Sequence, residues 1–147
     1  MTPATAPEVR ILALDVGEKR IGLAVSDPLG LTAQGLGVVE RRGWDQDLAR
    51  LVAVAREWRV QEVVVGVPRH LDGRPGAQVP EILELARALG EVLDVQVTPW
   101  DERLTTREAE RVLLQADLSR RRRRQVVDRL AAVLILQAYL DRRRQTS

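Results

Sequence analysis

The order of secondary-structure patterns along the chain constrains the fold most strongly. Five strand patterns lie at about residues 9–15, 20–26, 31–39, 62–65 and 95–100. Three helix patterns lie at about residues 44–58, 79–90 and 122–141. Three strands joined by tight turns, followed by two strands that each come after a helix, imply a mixed sheet with a parallel portion. The sequence therefore predicts an α/β fold, with a mixed five-stranded sheet and helices on both faces.

Length and composition limit the possible functions. A chain of 147 residues with 45% hydrophobic residues fits one domain, spanning residues 1–147, with a real core. Three Trp, one Tyr and no Phe disfavour base-stacking platforms of the RRM or OB kind. With no Cys and one His, a thiolate or histidine metal cluster is excluded within one chain, so oxygen ligands must hold any metal.

Apolar stretches are short. No segment near the N-terminus has the form of a signal peptide, and the longest uninterrupted apolar run, Leu130 to Leu136, is too short for a bilayer span. We therefore expect a cytoplasmic protein with no membrane partner.

The first strand pattern ends in a carboxylate. Asp15 follows an apolar run and precedes a glycine turn with two cations, Lys19 and Arg20, a combination suited to phosphate or metal. The next strand alternates bulky residues with the small residues Gly22, Ala24 and Ser26, and a surface of small residues lets a backbone or ligand come close. An ordinary hairpin with a surface Asp remains an alternative at this point.

Other polar segments follow the later strands. The turn-rich loop Gly66 to Gly73 follows the fourth strand, and Asp101 and Glu102 follow the fifth. Ligands of such sheets gather at the carboxyl ends of parallel strands, so we expect these segments to meet Asp15 at one edge. Because neighbouring residues of an extended segment point to opposite faces, only one of Asp101 and Glu102 needs to reach the site. His70, a lone loop histidine, is assigned no role.

Asp128 lies in a helix pattern that is apolar nearly all round, which predicts a buried helix. On the helical wheel it shares a face with Ala132, Ile135 and Tyr139. An ionised carboxylate there needs a cation, a metal or several hydrogen bonds. A salt bridge to an Arg, or a favourable contact with the helix dipole, would also satisfy it.

Charge is divided unevenly along the chain. Residues 1–102 carry 11 basic and 16 acidic residues, whereas residues 103–147 carry 12 basic and 5 acidic. Much of the basic excess lies in the two clusters Arg120 to Arg124 and Arg142 to Arg144. The first cluster leads into the last helix, where positive charge opposes the dipole, so a polyanion such as nucleic acid would relieve the conflict. A merely solvated basic run is the alternative.

Four motifs together resemble one known family. LDVGEKRIGLAVSD, GVPRHLDG, DERLTT and DRLAAVLILQAYL occur in order over almost the whole chain, and they are similar to the YqgF (also called RuvX) family of RNase H-like nucleases. The resemblance implies an RNase H-like fold. Members are described either as Holliday junction resolvases or as nucleases acting in maturation of pre-16S ribosomal RNA ends.

The resemblance also assigns residues. The family's strand-one acid falls on Asp15, the acid of its D-E-R motif on Glu102 and its helix acid on Asp128, which makes these three the predicted catalytic and metal-binding residues. Lys19, Arg20 and Arg103 match basic positions that meet phosphates. Together with the first arginine cluster, the predicted nucleic-acid-binding residues are Lys19, Arg20, Arg103, Arg120, Arg121, Arg122, Arg123 and Arg124.

The chemistry follows from the substrate, because attack by water on a phosphodiester builds further negative charge. Three carboxylates can hold one or two Mg²⁺ or Mn²⁺ ions, one activating water and the other stabilising the leaving oxygen, roughly 3.5 to 4 Å apart. The expected function is a metal-dependent nuclease acting in pre-16S rRNA end processing, a hydrolase of ester bonds. The expected partner is precursor rRNA or branched or single-stranded DNA, and the expected state is a monomer or homodimer.

Three alternatives stay open. A D-x-G-x-x-x-x-G hairpin also opens actin-like ATPases, which need two such domains where this chain has room for one. A nucleic-acid-binding module without catalysis would use the acids structurally. A Holliday junction resolvase keeps the nuclease chemistry but changes the substrate, and it would be expected to act as a two-fold dimer.

Overall fold

The computed structural model describes residues 10–68, 78–102 and 120–146, and it leaves the side chains of residues 120–129 and 146 undescribed. The described elements are β1 (Ile11–Val16), β2 (Arg20–Ser26), β3 (Ala33–Glu40), α1 (Trp44–Glu57), β4 (Glu62–Val67), α2 (Val79–Leu93), β5 (Gln96–Asp101) and α3 (Arg120–Thr146). They follow the order predicted from the sequence.

The five strands form one sheet in the order β3-β2-β1-β4-β5. β1 pairs antiparallel with β2, and β2 pairs antiparallel with β3. β4 pairs parallel with β1 on one side and with β5 on the other. The mixed sheet with a parallel portion is therefore confirmed, and the carboxyl ends of β1, β4 and β5 lie at the same edge.

Helices cover both faces of this sheet, as predicted. One face carries bulky residues such as Leu14, Leu23 and Val65, which pack with residues of α1 and α2 in the larger core cluster. The other face carries smaller residues such as Ala13 and Ala24, which pack against α3. Small side chains let this helix approach the sheet closely, so the small-residue face of β2 is occupied by α3.

Three expectations about element bounds and burial need correction. β4 continues through Gly66 and Val67, which the sequence placed in a loop, because both residues pair with β5. The last helix is longer than predicted at both ends, and its described part begins at Arg120, so the first arginine cluster lies within it.

The last helix is also less buried than its apolar sequence suggests. Ala132, Ile135, Leu136 and Leu140 are buried, whereas Leu130 is 42% exposed. α3 lies across one face of a sheet and has no described layer outside it, so it buries one stripe only. Among the described residues, no helix is both long and apolar enough to cross a bilayer.

Candidate nuclease site

Asp15 lies near the carboxyl end of β1, directly opposite Gly22 in β2. A Cβ added to Gly22 would stand 3.6 Å from the Cβ of Asp15 and 3.6 Å from that of Ala132 in α3. Asp15 therefore faces α3 and is half-buried. The hairpin of β1 and β2 is confirmed, but Asp15 is not an ordinary surface residue of it.

Glu102 follows the last residue of β5 and lies over Gly66 of β4. A Cβ on Gly66 would stand only 2.5 Å from Oε1 of Glu102 and 2.6 Å from Cδ1 of Ile135. Real Cβ atoms do not approach that closely, so the absence of a side chain at Gly66 leaves the space that the Glu102 carboxyl occupies.

The carboxyl groups of Asp15 and Glu102 meet in a hydrogen bond. Burial, this hydrogen bond, the charge of Asp15 and the charge of Asp101 together raise the pKa of Glu102 to about 8, from an ordinary value of 4.5. At neutral pH, Glu102 therefore holds its proton and donates it to the Asp15 carboxylate. Two acids from distant parts of the sequence share one proton at the carboxyl edge of the sheet.

Strand alternation explains this convergence. Asp15, Gly66 and Trp100 occupy positions of β1, β4 and β5 that face α3, and Glu102 comes two residues after Trp100. The expectation that one of two neighbouring acids reaches Asp15 holds, and that acid is Glu102.

Asp128 lies within α3, one helical turn before Ala132. Since Ala132 lies over Gly22, the residue opposite Asp15, and Tyr139 bonds Glu62 at the start of β4, α3 runs antiparallel to β1 and β4. Its backbone at residue 128 thus lies further toward the carboxyl edge than Ala132 does. The side chain of Asp128 is outside the described residues, so its part in the triad stays a prediction.

The predicted basic residues are placed unevenly. Lys19 and Arg20 are exposed in and after the turn between β1 and β2, at the same edge as Asp15. The five arginines of the first cluster lie in the first described turns of α3, without described side chains. Arg103, His70 and the loop from residue 69 to 73 lie outside the described residues.

Comparison with known proteins identifies the family. Residues 9–142 match the model of RuvX, described as a Holliday junction resolvase. The chain belongs to the RuvX family. Membership and the nuclease names of its relatives support nuclease activity, which is hydrolysis of phosphodiester bonds.

Curated RuvX relatives are similar over most of their length. One from Symbiobacterium thermophilum is 55% identical over 139 residues, covering 92% of this chain and 94% of that protein, and is named "Putative pre-16S rRNA nuclease". One from Syntrophomonas wolfei with the same name is 52% identical over 133 residues, covering 90% and 94% of the two chains.

A solved structure supports the fold assignment. RuvC of Thermus thermophilus superposes with a TM-score of 0.59 at 16% identity, covering 94% of this chain and 98% of that one. At this identity the likeness shows the fold alone. The RuvX chain thus has the RNase H-like fold that its motifs implied.

The described part of the RuvX site fits a divalent cation by the chemistry of its donors. Asp15 and Glu102 offer carboxylate oxygens, which Mg²⁺ and Mn²⁺ prefer. Among described residues, no ion pair connects either acid to an Arg or Lys, so a cation would replace the shared proton. Within the same residues no third metal-ligating side chain joins them.

Sequence reasoning missed Gly66, which it placed in a loop. The available signal was a glycine in an otherwise uniform valine run, because a glycine inside a strand indicates a bulge or close approach of another group. The sequence could not name Glu102 as the approaching group, because that contact depends on the pairing of β4 with β5.

Proposed function

We propose that this chain is a divalent-metal-dependent nuclease that processes the ends of pre-16S rRNA. The observation that carries the proposal is the meeting of the Asp15 and Glu102 carboxyl groups at the carboxyl edge of the parallel strands. Two neighbouring carboxyl groups disfavour each other's ionised form, so such a pair is expected where a cation binds during function.

The proposed ligands are Asp15, Glu102 and Asp128. Asp15 is central, because it lies on the middle strand and contacts Glu102. Ala132, one turn from Asp128, lies over Gly22, the residue opposite Asp15 in β2. Glu102 would have to give up its proton to solvent in order to serve as a ligand, since a cation and a proton compete for the same oxygen atoms. Asp128 would complete the ligand set from α3.

A bound Mg²⁺ or Mn²⁺ ion would supply Lewis acidity at the phosphodiester and activate water for attack. The protein's own contribution is to hold the acids on rigid strands. Ile135 and the sheet exclude solvent from one side of Glu102, which strengthens its interaction with positive charge.

The proposed substrate contacts are basic residues at the same edge. Lys19 and Arg20 are exposed beside Asp15, and Arg103 directly follows Glu102 in the sequence. The arginine cluster Arg120 to Arg124 lies at the end of α3 that points toward the carboxyl edge. Such cations would bind RNA phosphates, with an affinity that falls as salt increases.

The choice of pre-16S rRNA is supported by the names of the curated relatives. It is tested by incubating the protein with a labelled RNA that carries a 16S end and its precursor extension, with Mg²⁺ or Mn²⁺. We expect cleavage that is abolished by chelation and absent from Asp15→Asn. A wild-type protein that leaves this RNA intact with either metal would contradict the proposal.

Metal binding has a readout besides activity. Mg²⁺ or Mn²⁺ should raise the melting temperature of the wild-type protein, because a ligand that binds only the folded state stabilises it. Asp15→Asn should lose this rise while keeping its fold. Equal rises in both proteins would place the metal elsewhere.

A second candidate substrate is the four-way DNA junction, which the printed description of the RuvX family favours. It requires two active sites related by two-fold symmetry to cut paired strands. Incubating a synthetic junction beside the RNA, and measuring mass in solution, distinguishes the two. Symmetric paired cuts by a dimer would favour the junction.

A further inference from the structure

A groove outside the acid site runs beside β5, the edge strand of the sheet. It encloses about 450 Å³, and the lining residues that matter here are Thr98, Trp100, Asp101, Tyr139, Arg142 and Arg143. We call it the β5 groove. One wall is the edge strand and the other is the C-terminal part of α3.

Aromatic residues are concentrated in the β5 groove. The chain has three Trp and one Tyr, and two of these four, Trp100 and Tyr139, meet there. Their rings lie edge to face, with centroids 6.1 Å apart and planes at 87°. Composition argued against base-stacking platforms of the RRM or OB kind, but the fold builds a small aromatic surface from scarce residues.

A buried acid fixes the walls of the groove. Glu62, at the start of β4, accepts hydrogen bonds from the Tyr139 hydroxyl at 2.5 Å, Thr98 Oγ1 at 3.2 Å and Arg143 at 3.3 Å. These contacts join β4, β5 and α3, so the aromatic and cationic residues are held in place before any ligand arrives.

Positive charge lies along the helical wall. Arg142 and Arg143 follow Tyr139 by three and four residues, so all three share one side of α3. Both arginines are exposed. Asp101 is the acidic lining residue, and it lies at the end of the groove next to Glu102.

The groove leads to the acid site. Trp100 precedes Glu102 by two residues, a separation of about 6.6 Å along a strand, and both lie on the side of the sheet that faces α3. A chain lying in the groove would therefore reach the cleavage site within a short distance.

We propose that the β5 groove binds the single-stranded RNA segment next to the bond that is cut, with a base against Trp100 and Tyr139 and phosphates at Arg142 and Arg143. The inference rests on the proposed nuclease function. Aromatic surface beside cations is the combination that binds unpaired strands, because a base must leave its duplex to stack on a side chain. A duplex offers phosphates but no free base face.

The test measures binding without cleavage. In the Asp15→Asn background, the affinity for a labelled single-stranded RNA is measured by fluorescence anisotropy at several salt concentrations. Trp100→Leu and Arg142→Ala are compared with Trp44→Leu and Arg56→Ala, whose parent residues are exposed on α1 at the other face of the sheet. Melting curves check that each variant is folded. Because Arg142 is exposed, we expect the fold to tolerate its truncation to Ala.

We expect Trp100→Leu to weaken binding about tenfold, as loss of one stacked base does. Arg142→Ala should lower the slope of log affinity against log salt by about 0.7, the value for one phosphate contact on a single strand. The two α1 variants should bind like the parent protein.

Several results would overturn the inference. The first is that the groove variants bind single-stranded RNA as tightly as the α1 variants do. The second is that they lose as much affinity for a blunt RNA duplex as for the single strand. The third is that the protein binds single-stranded DNA of the same sequence more tightly than RNA. Wild-type cleavage of the precursor RNA, measured in parallel, separates the two proposals. If the wild type cleaves the RNA but the groove variants bind normally, only the groove proposal is wrong. If the wild type does not cleave the RNA, the nuclease proposal is wrong.

Discussion

Two groups of acids on opposite sides of this sheet differ in their partners. Asp47 in α1 is only 1% exposed, and it accepts a hydrogen bond from the backbone N–H of Arg42 at 2.9 Å and pairs with Arg41 at 3.4 Å. Asp15 and Glu102 instead face each other and share a proton. Asp47 is neutralised by Arg41, whereas no Arg or Lys in the described part of the chain pairs with Asp15 or Glu102.

The difference distinguishes a structural acid from a pair that we propose to be functional. Arg41 also bonds Glu81 of α2 at 2.7 Å and the carbonyl of Gly17 at 3.1 Å, so with Asp47 it connects α1, α2 and the β1–β2 turn. This network is complete without a ligand. Among the described residues no cation pairs with Asp15 or Glu102, which makes this pair the better candidate for chemistry.

The largest expected effect comes from Asp15→Asn. Loss of the central carboxylate should reduce cleavage on the order of 10³-fold, corresponding to several kcal/mol of lost metal-assisted stabilisation. Unfolding should be nearly unaffected, because the amide oxygen of Asn can still accept the hydrogen bond from Glu102. Single-turnover cleavage and urea unfolding check this. A variant that unfolds readily would make Asp15 a structural acid like Asp47.

Asp47→Ala should behave in the opposite way. It leaves Arg41, which is half-buried, without one of its two acidic partners and removes the acceptor for the Arg42 N–H, so we expect a loss of about 3 kcal/mol in the free energy of unfolding. Under conditions where it stays folded, its cleavage rate should equal that of the wild type. The same two assays apply, and a fall in cleavage by the folded protein would end the distinction between the two systems.

Gly66→Ala tests how the sheet positions Glu102. The new Cβ would meet the ends of two side chains, Glu102 and Ile135, which can move at small cost, so stability should change by less than about 1 kcal/mol. Cleavage should fall about tenfold or more through kcat, because the Glu102 carboxyl is displaced from Asp15. RNA affinity should be preserved.

Gly90→Ala is the matched control for this variant. A Cβ there would stand 2.5 Å from Cγ2 of Val97, a stiff β-branched side chain, and 3.1 Å from the carbonyl of Val95. The higher helix propensity of Ala offsets part of the cost of this overpacking, so we expect a net loss of about 1 kcal/mol in the free energy of unfolding. The kcat should be unchanged. If both alanine variants lowered kcat alike, general overpacking rather than Glu102 would explain the result.

The sheet, and the position of each acid of the pair at the end of a strand, could be predicted from the sequence because they follow from local patterns. Alternation in β2, the valine run of β4 and the position of each acid after a strand all depend on neighbouring residues. The carboxyl-edge rule then placed Asp15 at the same edge as Asp101 and Glu102 without coordinates, and the family resemblance selected Glu102. The third acid, Asp128, stays a prediction.

Contacts between distant segments could not be predicted in the same way. The fit of Glu102 over Gly66 depends on the pairing of β4 with β5, and the joining of Glu62, Tyr139 and Arg143 depends on how α3 crosses the sheet. The exposure of Leu130 likewise reflects the lack of a described layer outside α3, which its apolar sequence does not reveal.

The least direct test of the contrast is the pH dependence of stability in metal-free protein. The pKa of Glu102 is raised from 4.5 to about 8 on folding, so between these values the folded state keeps a proton that the unfolded chain releases. The free energy of unfolding should therefore fall as pH rises through this window, by at most about 1.4 kcal/mol per pH unit, and level off above it.

Urea unfolding at pH 5 to 8.5 with a chelator measures this fall. Glu102→Gln should reduce it, whereas Glu84→Gln, at an exposed carboxyl whose pKa is lowered by Arg87, should leave it in place. Saturating Mg²⁺ should flatten the wild-type curve, because a cation takes the place of the proton. A fall that is the same in wild type and Glu102→Gln would mean that this pair of acids does not share a proton, and the contrast with Asp47 would lose its basis.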